Sequence, residues 1–136
     1  MLGEDGDSIG ESAYHVLVVD GDPSALEVAT RALEPLEGVE VATASDGFEA
    51  GLQMVAFAPD LLVLDLMLHD VDGFELCRRI RRDPDLADIK ILVVTAHGTH
   101  ENLERVLAAG ADDFIHKPID AERLRQRVHA LLDVEK

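Results

Sequence analysis

HVLVVDGDPSAL, residues 15–26, changes character halfway along. It opens as a Val-rich apolar run with no alternation, the mark of a strand buried on both faces. It then breaks into Asp20-Gly21-Asp22-Pro23. Proline is favoured at the first helical position and aspartate just before it, so the stretch reads as strand, tight turn and helix start, with Asp22 as N-cap. The apolar positions Leu26, Ala29 and Leu33 continue the helical stripe to about EPLEG.

The same unit recurs. VEVATA (39–44) predicts a second strand, and DGFEAGLQMVAF a helix weakened by Gly51. DLLVLDLM (60–67) is a third strand, apolar on both faces, followed by the helix DGFELCRRIRRD. IKILVVTA (89–96) is a fourth strand. HENLERVLAAG follows as a helix with Leu103, Val106 and Leu107 inward and Gly110 as its stop. DDFIHK is a fifth strand. DAERLRQRVHALLD closes the series, capped by Asp120, with Leu124, Val128, Leu131 and Leu132 inward. Alternating strands and helices imply a parallel sheet covered on both faces. Right-handed crossovers then give an α/β, flavodoxin-like, doubly wound sheet of five parallel strands, order 2-1-3-4-5, with five helices. A ligand in such a sheet sits at the carboxyl ends of the strands, here between the first and third.

Composition narrows the function. The 136 residues suit one domain. Net charge of −16 speaks against direct nucleic-acid binding, which rests on Lys and Arg. No apolar run approaches the ~20 residues of a membrane span, and no basic-then-apolar signal opens the chain, so a cytoplasmic location is expected. The lone Cys77 allows no intrachain disulfide and reads as a small buried apolar residue. Residues 1–13, MLGEDGDSIGESA, carry four acids, three glycines and no base, and are expected to be a disordered acidic leader ahead of a domain at 14–136. His97 and His100 lack a third ligand for zinc, and the RRIRR run reads as a solvated helix face.

The strand ends place chemistry on one edge: Asp20 with Asp22 just beyond, Asp65, Thr95, and Lys117 followed by Pro118. Carboxylates brought this close repel, and a divalent cation relieves the repulsion. Magnesium is the hard, oxygen-seeking candidate. An amine and a hydroxyl beside it suit the oxygens of a phosphoryl group. An acid inside LVLDLML is costly without a partner.

These motifs, VLVVDGDP, PDLLVLDLMLHDVDGFELCRRIR, ILVVTA and GADDFIHKPID, resemble the receiver domain of bacterial two-component response regulators. The resemblance covers residues 14 to about 133. It implies that Asp65 accepts a phosphoryl group from a histidine kinase or phosphotransfer protein. It implies that Asp20, Asp65 and the Met67 carbonyl serve Mg2+. Thr95, Ala96 and Lys117 would bind the phosphoryl group, Thr95 and Phe114 would act as the switch, and a cis bond before Pro118 would aim the lysine. The output partner stays unspecified, with homodimerisation through the last-helix face, around Glu104, Arg105, Arg123 and Arg127, as one expectation.

Two positions depart from the family pattern. Gly21 stands where a second acid is usual, which leaves Asp22 as a doubtful replacement ligand. His69 stands where proline is common. Gly21 motivates a second reading, a pseudo-receiver that binds proteins without phosphorylation. A third is a haloacid-dehalogenase-like phosphatase with Asp20 as nucleophile and Asp22 as acid, but it leaves Asp65 unexplained.

Overall fold

The computed structural model describes residues 14–96 and 98–132. The acidic leader 1–13, His97 of the histidine pair and the last four residues lie outside the described residues. The elements run β1 (Tyr14–Val19), α1 (Pro23–Leu33), β2 (Val39–Ala44), α2 (Gly47–Ala56), β3 (Leu61–Asp65), α3 (Gly73–Arg82), β4 (Lys90–Thr95), α4 (His100–Ala109), β5 (Asp113–His116) and α5 (Ala121–Leu132). All strand pairs are parallel, in the order β2-β1-β3-β4-β5. The doubly wound architecture expected from the alternation is therefore present.

The apolar runs of the central strands explain the layering. In β1, β3 and β4 successive side chains point to opposite faces, and both faces are covered. Leu17, Val19, Leu62, Leu64, Ile91 and Val93 pack beneath α2, α3 and α4. Val16, Val18, Leu61, Val63, Leu92 and Val94 pack beneath α1 and α5. Burying each such side chain contributes about 1.5–3 kcal/mol. The carboxyl ends of β1, β3, β4 and β5 are thus fixed by packing on both sides.

Caps set where the helices begin. Asp22 Oδ1 accepts from Ser24 N at 3.0 Å and Asp120 Oδ1 from Glu122 N at 3.0 Å, as the sequence predicted. The α4 stop is Gly110, in the left-handed region at φ 119°. Gly73 is required for packing: a Cβ there would lie 2.7 Å from the Cα of Leu66. That contact lets the chain turn sharply after β3.

The structure corrects several sequence expectations. Strand β3 ends at Asp65, so Leu66 and Met67 belong to a loop, and Met67 is exposed. Leu107 is exposed. The buried positions of α4 are Val106 and Ala109, with Leu103 half-buried, and Leu107 lies about 100° round the helix from Val106. The RRIRR run is not wholly solvated. Arg81 donates from Nε to Gly110 O (2.8 Å), from Nη1 to Ala87 O (2.9 Å) and Ile89 O, and from Nη2 to Asp112 Oδ2 (2.8 Å). It ties α3 to the loops that lead into β4 and β5.

Candidate functional site

Three side chains meet at the carboxyl edge. Asp20 follows β1, Asp65 ends β3 and Lys117 follows β5. Lys117 Nζ lies 2.8 Å from Asp20 Oδ2 and 3.5 Å from Asp65 Oδ2. Both carboxylates are buried, at 3% and 6% exposure. Asp20 Oδ1 accepts from Asp22 N at 2.9 Å, and Asp65 Oδ1 accepts from Met67 N at 3.1 Å. Lys117 is placed by its own backbone, whose N–H donates to Thr95 O at 2.9 Å, and the Lys117–Pro118 bond is cis.

Charge balance gives the site its character. Two carboxylates face one ammonium, a net of −1 in a poorly solvated place. Burial is the main force raising the Asp65 pKa. The Asp20 charge adds to the rise, while the Met67 N–H and Lys117 oppose it. For Lys117 burial works against its charge, yet the bond to Asp20 and the charges of Asp65 and Asp20 prevail and raise its pKa. The lysine is thus firmly cationic and Asp65 is a carboxylate short of compensation.

A cleft of about 520 Å³ opens above this trio, lined by Asp20, Gly21, Asp22, Ser45, Asp46, Asp65, Met67, His69 and Lys117. A second hollow of about 450 Å³ lies on the other side of Lys117, lined by Asp22, Ala96, Lys117 and Pro118 among others. Ala96 therefore stands beside the lysine. Thr95 is fully buried and does not line the cleft. Phe114 is half-buried against the α2–α4 side of the core, with its ring edge-on to His116 at 6.1 Å.

The remaining assigned positions divide. Asp22 is exposed and serves as the α1 cap, so its Oδ1 is engaged with Ser24 N. His69 approaches Asp46 Oδ2 at 3.7 Å on the cleft rim. Ser45 and Asp46 were missed by sequence reasoning. Their signal was the D-x-x-E spacing of a capping box: Glu49 N donates to Asp46 Oδ1 (2.8 Å), and Ser45 N donates back to Glu49 Oε1 (2.6 Å). The residues expected on the last-helix face divide: Glu104 and Arg105 belong to α4, where Arg105 lies 4.1 Å over the Phe74 ring of α3, while Arg123 and Arg127 belong to α5, with Arg127 Nη1 3.3 Å from Asp113 Oδ2.

The donor set fits a hard, hydrated divalent cation. Asp20 and Asp65 are the buried carboxylates of this cleft, and Met67 is among its lining residues. Among the described residues no group of three or more His, Cys, Asp or Glu could hold a metal. An ion that takes one or two carboxylates and keeps several waters needs no more than the Asp20 and Asp65 carboxylates.

This arrangement is that of a phosphoryl-receiving signalling domain. Residues 16–129 match the response regulator receiver domain, and the chain belongs to that family: it is a receiver domain of the two-component response regulators. Over 117 residues it is 42% identical to the DNA-binding dual master transcriptional regulator RpaA of Synechocystis, covering 86% of this chain and 48% of RpaA. It is 42% identical to the phosphate regulon transcriptional regulatory protein PhoB of Rhizobium meliloti (85% and 51%) and 44% to the response regulator MprA of Mycobacterium leprae (86% and 50%). The chain spans about half the length of these relatives. Among solved structures, the signal receiver domain of a DNA-binding response regulator from Colwellia psychrerythraea superposes with TM-score 0.83 at 30% identity, covering 88% of this chain and 98% of that one. A putative response regulator from Chloroflexus aurantiacus gives 0.82 at 34% (88% and 98%).

Two expectations change in this light. The phosphatase reading loses its support, since Asp22 caps a helix and the family places the chain among signalling domains. The expectation of no nucleic-acid contact gains none, because RpaA is named as DNA-binding and PhoB as a transcriptional regulator. Among the described residues no helix is long and apolar enough to cross a membrane.

Proposed function

We propose that Asp65 is the phosphoacceptor of this receiver, with a histidine kinase or phosphotransfer protein as donor. The observation that carries the reading is a buried carboxylate facing an open cleft with Lys117 Nζ at 3.5 Å. A carboxylate oxygen of Asp65 attacks phosphorus, the phosphorus–nitrogen bond of the donor phosphohistidine breaks, and the imidazole leaves with the electron pair. Lys117 then transfers its attraction from the carboxylates to a phosphoryl oxygen. Asp20, Asp65 and the Met67 carbonyl would hold Mg2+, which when bound offsets the added negative charge. Asp22 remains a second-choice ligand, since its capping bond would have to be given up.

In this reading the Ala96 backbone and the Thr95 hydroxyl complete the phosphoryl cradle. Thr95 must rotate from its buried position toward the cleft, and Phe114 follows into the space behind it. The bond between the Lys117 and Thr95 backbones makes that step local. The surface of α4, β5 and α5 is thereby biased between two states. Dimerisation through that face would use Arg123 and Arg127, and reversing both to Glu should weaken self-association in sedimentation. A cytoplasmic location and the domain extent 14–136 belong to the same proposal.

The test is intact mass after incubation with Mg2+ and a small phosphodonor. The chain should gain one phosphoryl group labile to hydroxylamine, and Asp65→Asn should gain none. Labelling of Asp65→Asn at the parent's level would overturn the assignment. No labelling of a folded, Mg2+-saturated parent would favour the pseudo-receiver.

A further inference from the structure

Strand β5 ends in a residue that the proposed switch does not use. Side chains alternate along Asp113–His116, so Phe114 and His116 point to the same side of the sheet. Phe114 packs on the α2–α4 side of the core, and the His116 ring stands edge-on to it at 6.1 Å. Across the sheet His116 is paired with Thr95. The next residue is Lys117, whose N–H donates to Thr95 O at 2.9 Å. His116 is thus coupled through the backbone to both side chains assigned to the phosphoryl group.

The ring also reaches the connection from β4 to α4. A Cβ built on Gly98 would fall against Cε1 and Nδ1 of His116, closer than any real side chain comes. Gly98 is not left-handed, so its backbone would accept alanine, and the ring is what excludes one. The connection is short. Thr95 ends β4 and Thr99 caps α4, where Asn102 N donates to Thr99 Oγ1 (3.1 Å) and Leu103 N to Thr99 O (3.0 Å). A ring seated on Gly98 therefore bears on the residue next to the helix cap. The ring has somewhere else to go. A hollow of about 540 Å³ beside it is lined by Phe114, His116, Pro118, Asp120, Arg123 and Arg127 among others. The side chain is exposed, so leaving the seat strands no polar group.

We infer that the His116 ring is a latch on the β4–α4 connection. Seated on Gly98, it holds the connection and the α4 cap in their resting arrangement. It leaves the seat when Thr95 turns toward the cleft, because Thr95 lies three residues before Gly98 and is paired with His116 itself. The inference rests on the switch reading of Thr95 and Phe114 and adds a residue to it. His116 acts through the connection and touches no phosphoryl oxygen, so it is a positioning residue. The device is steric: ring and loop compete for one place, and only glycine at position 98 lets both keep it.

The test is a double-mutant cycle on the full chain. His116→Ala removes the ring, and Gly98→Ala evicts it with one methyl group. Native-state hydrogen exchange is read at the amides of Asn102 and Leu103, which the Thr99 cap protects. Each single variant should speed exchange there about fivefold, equivalent to about 1 kcal/mol. Each should also raise the rate at which Mg2+ and a small phosphodonor label the chain. In the His116→Ala background Gly98→Ala has no ring to displace and should change neither reading. The exchange effect should persist in Asp65→Asn, where the proposed acceptor is gone. Unchanged melting curves show that each variant folds. Exchange indifferent to His116→Ala would overturn the inference. So would a Gly98→Ala effect of equal size with and without the ring, which would belong to the glycine backbone alone. Faster exchange with labelling at the parent's rate would also overturn it, since the latch would then be unconnected to the switch. A parent that takes no label, with the exchange cycle intact, would instead overturn the phosphoacceptor reading and leave the latch standing.

Discussion

Gly21→Asp tests the charge balance of the site directly. The position has room: the nearest outside atom to an added Cβ is Ser45 O at 3.7 Å, and the backbone is not left-handed there. Steric cost is therefore small, and the effect is electrostatic. At present two buried carboxylates share one ammonium, 2.8 and 3.5 Å away. A third carboxylate about 6 Å from the others adds roughly 1–3 kcal/mol of repulsion at effective dielectric constants of about 20 to 80. Gly21 is exposed, so the lower end applies, about 1 kcal/mol. For a domain of this size that lowers the metal-free melting temperature by roughly 3–5 °C. The same carboxylate should tighten Mg2+ binding. A tenfold gain is about 1.4 kcal/mol, recovered in full when the ion saturates both proteins. Melting curves of parent and mutant, each with and without saturating MgCl2, provide the readout. The mutant should melt lower without the ion and show the larger rise with it. Equal rises in the two proteins would refute the idea that residue 21 faces a cation held by Asp20 and Asp65. Loss of the parent's own rise in Asp22→Ala would instead identify Asp22 as the ligand.

Asp65→Asn should raise metal-free stability, because the nearer pair, Lys117 with Asp20, survives and the undercompensated carboxylate is gone. The raised Asp65 pKa means that the folded parent keeps this proton above the ordinary carboxylate value of about 4. Its contribution is therefore full below that value and lost as pH rises through the raised one, so the mutant's advantage should grow from about pH 4 upward. An advantage constant over pH 4–7 would contradict this. Arg81→Ala should cost about 1–2 kcal/mol in urea unfolding, since it strands several half-buried acceptors, whereas Arg79→Ala should stay within about 0.5 kcal/mol. Cys77, its thiol pushed up to about 11 by burial, should resist iodoacetamide at pH 8 until the protein unfolds; native labelling at the unfolded rate would show that the α3 packing opens.

The fold was legible because each strand is a short apolar run and each helix carries its own start signal. Asp22-Pro23 and Asp120 announce α1 and α5 by chemistry local to the sequence. The site was legible for the same reason: its residues end strands, so topology alone brings Asp20, Asp65 and Lys117 together. What failed depended on tertiary contacts. Nothing local distinguishes Leu107, which faces solvent, from Leu103, because the helix's orientation on the sheet decides it. Arg81 reads like its neighbours in RRIRR, yet its partners Asp112 and Gly110 lie about thirty residues away. Asp70, which holds the first turn of α2, is likewise a loop acid until the fold delivers it.

The pair Asp20-Gly21-Asp22 now separates into two tasks. Asp22 is spent on the first turn of α1, where its oxygen satisfies a helix N–H. Asp20 is turned inward, held by Lys117 and by the N–H of Asp22. Gly21 adds no charge between them. A site with two carboxylates and one lysine is closer to neutrality than one with three, so its metal-free form carries less repulsion. The same economy leaves one ligand fewer for a cation. A receiver built in this way should exist largely without bound ion at low Mg2+, with Lys117 as its resident positive charge. Its phosphorylation should then depend more steeply on Mg2+ concentration than that of the Gly21→Asp variant, which would be saturated earlier. Rates of labelling measured across a Mg2+ series decide this. A parent already saturated where the variant is saturated would mean that Asp20, Asp65 and the Met67 carbonyl suffice by themselves.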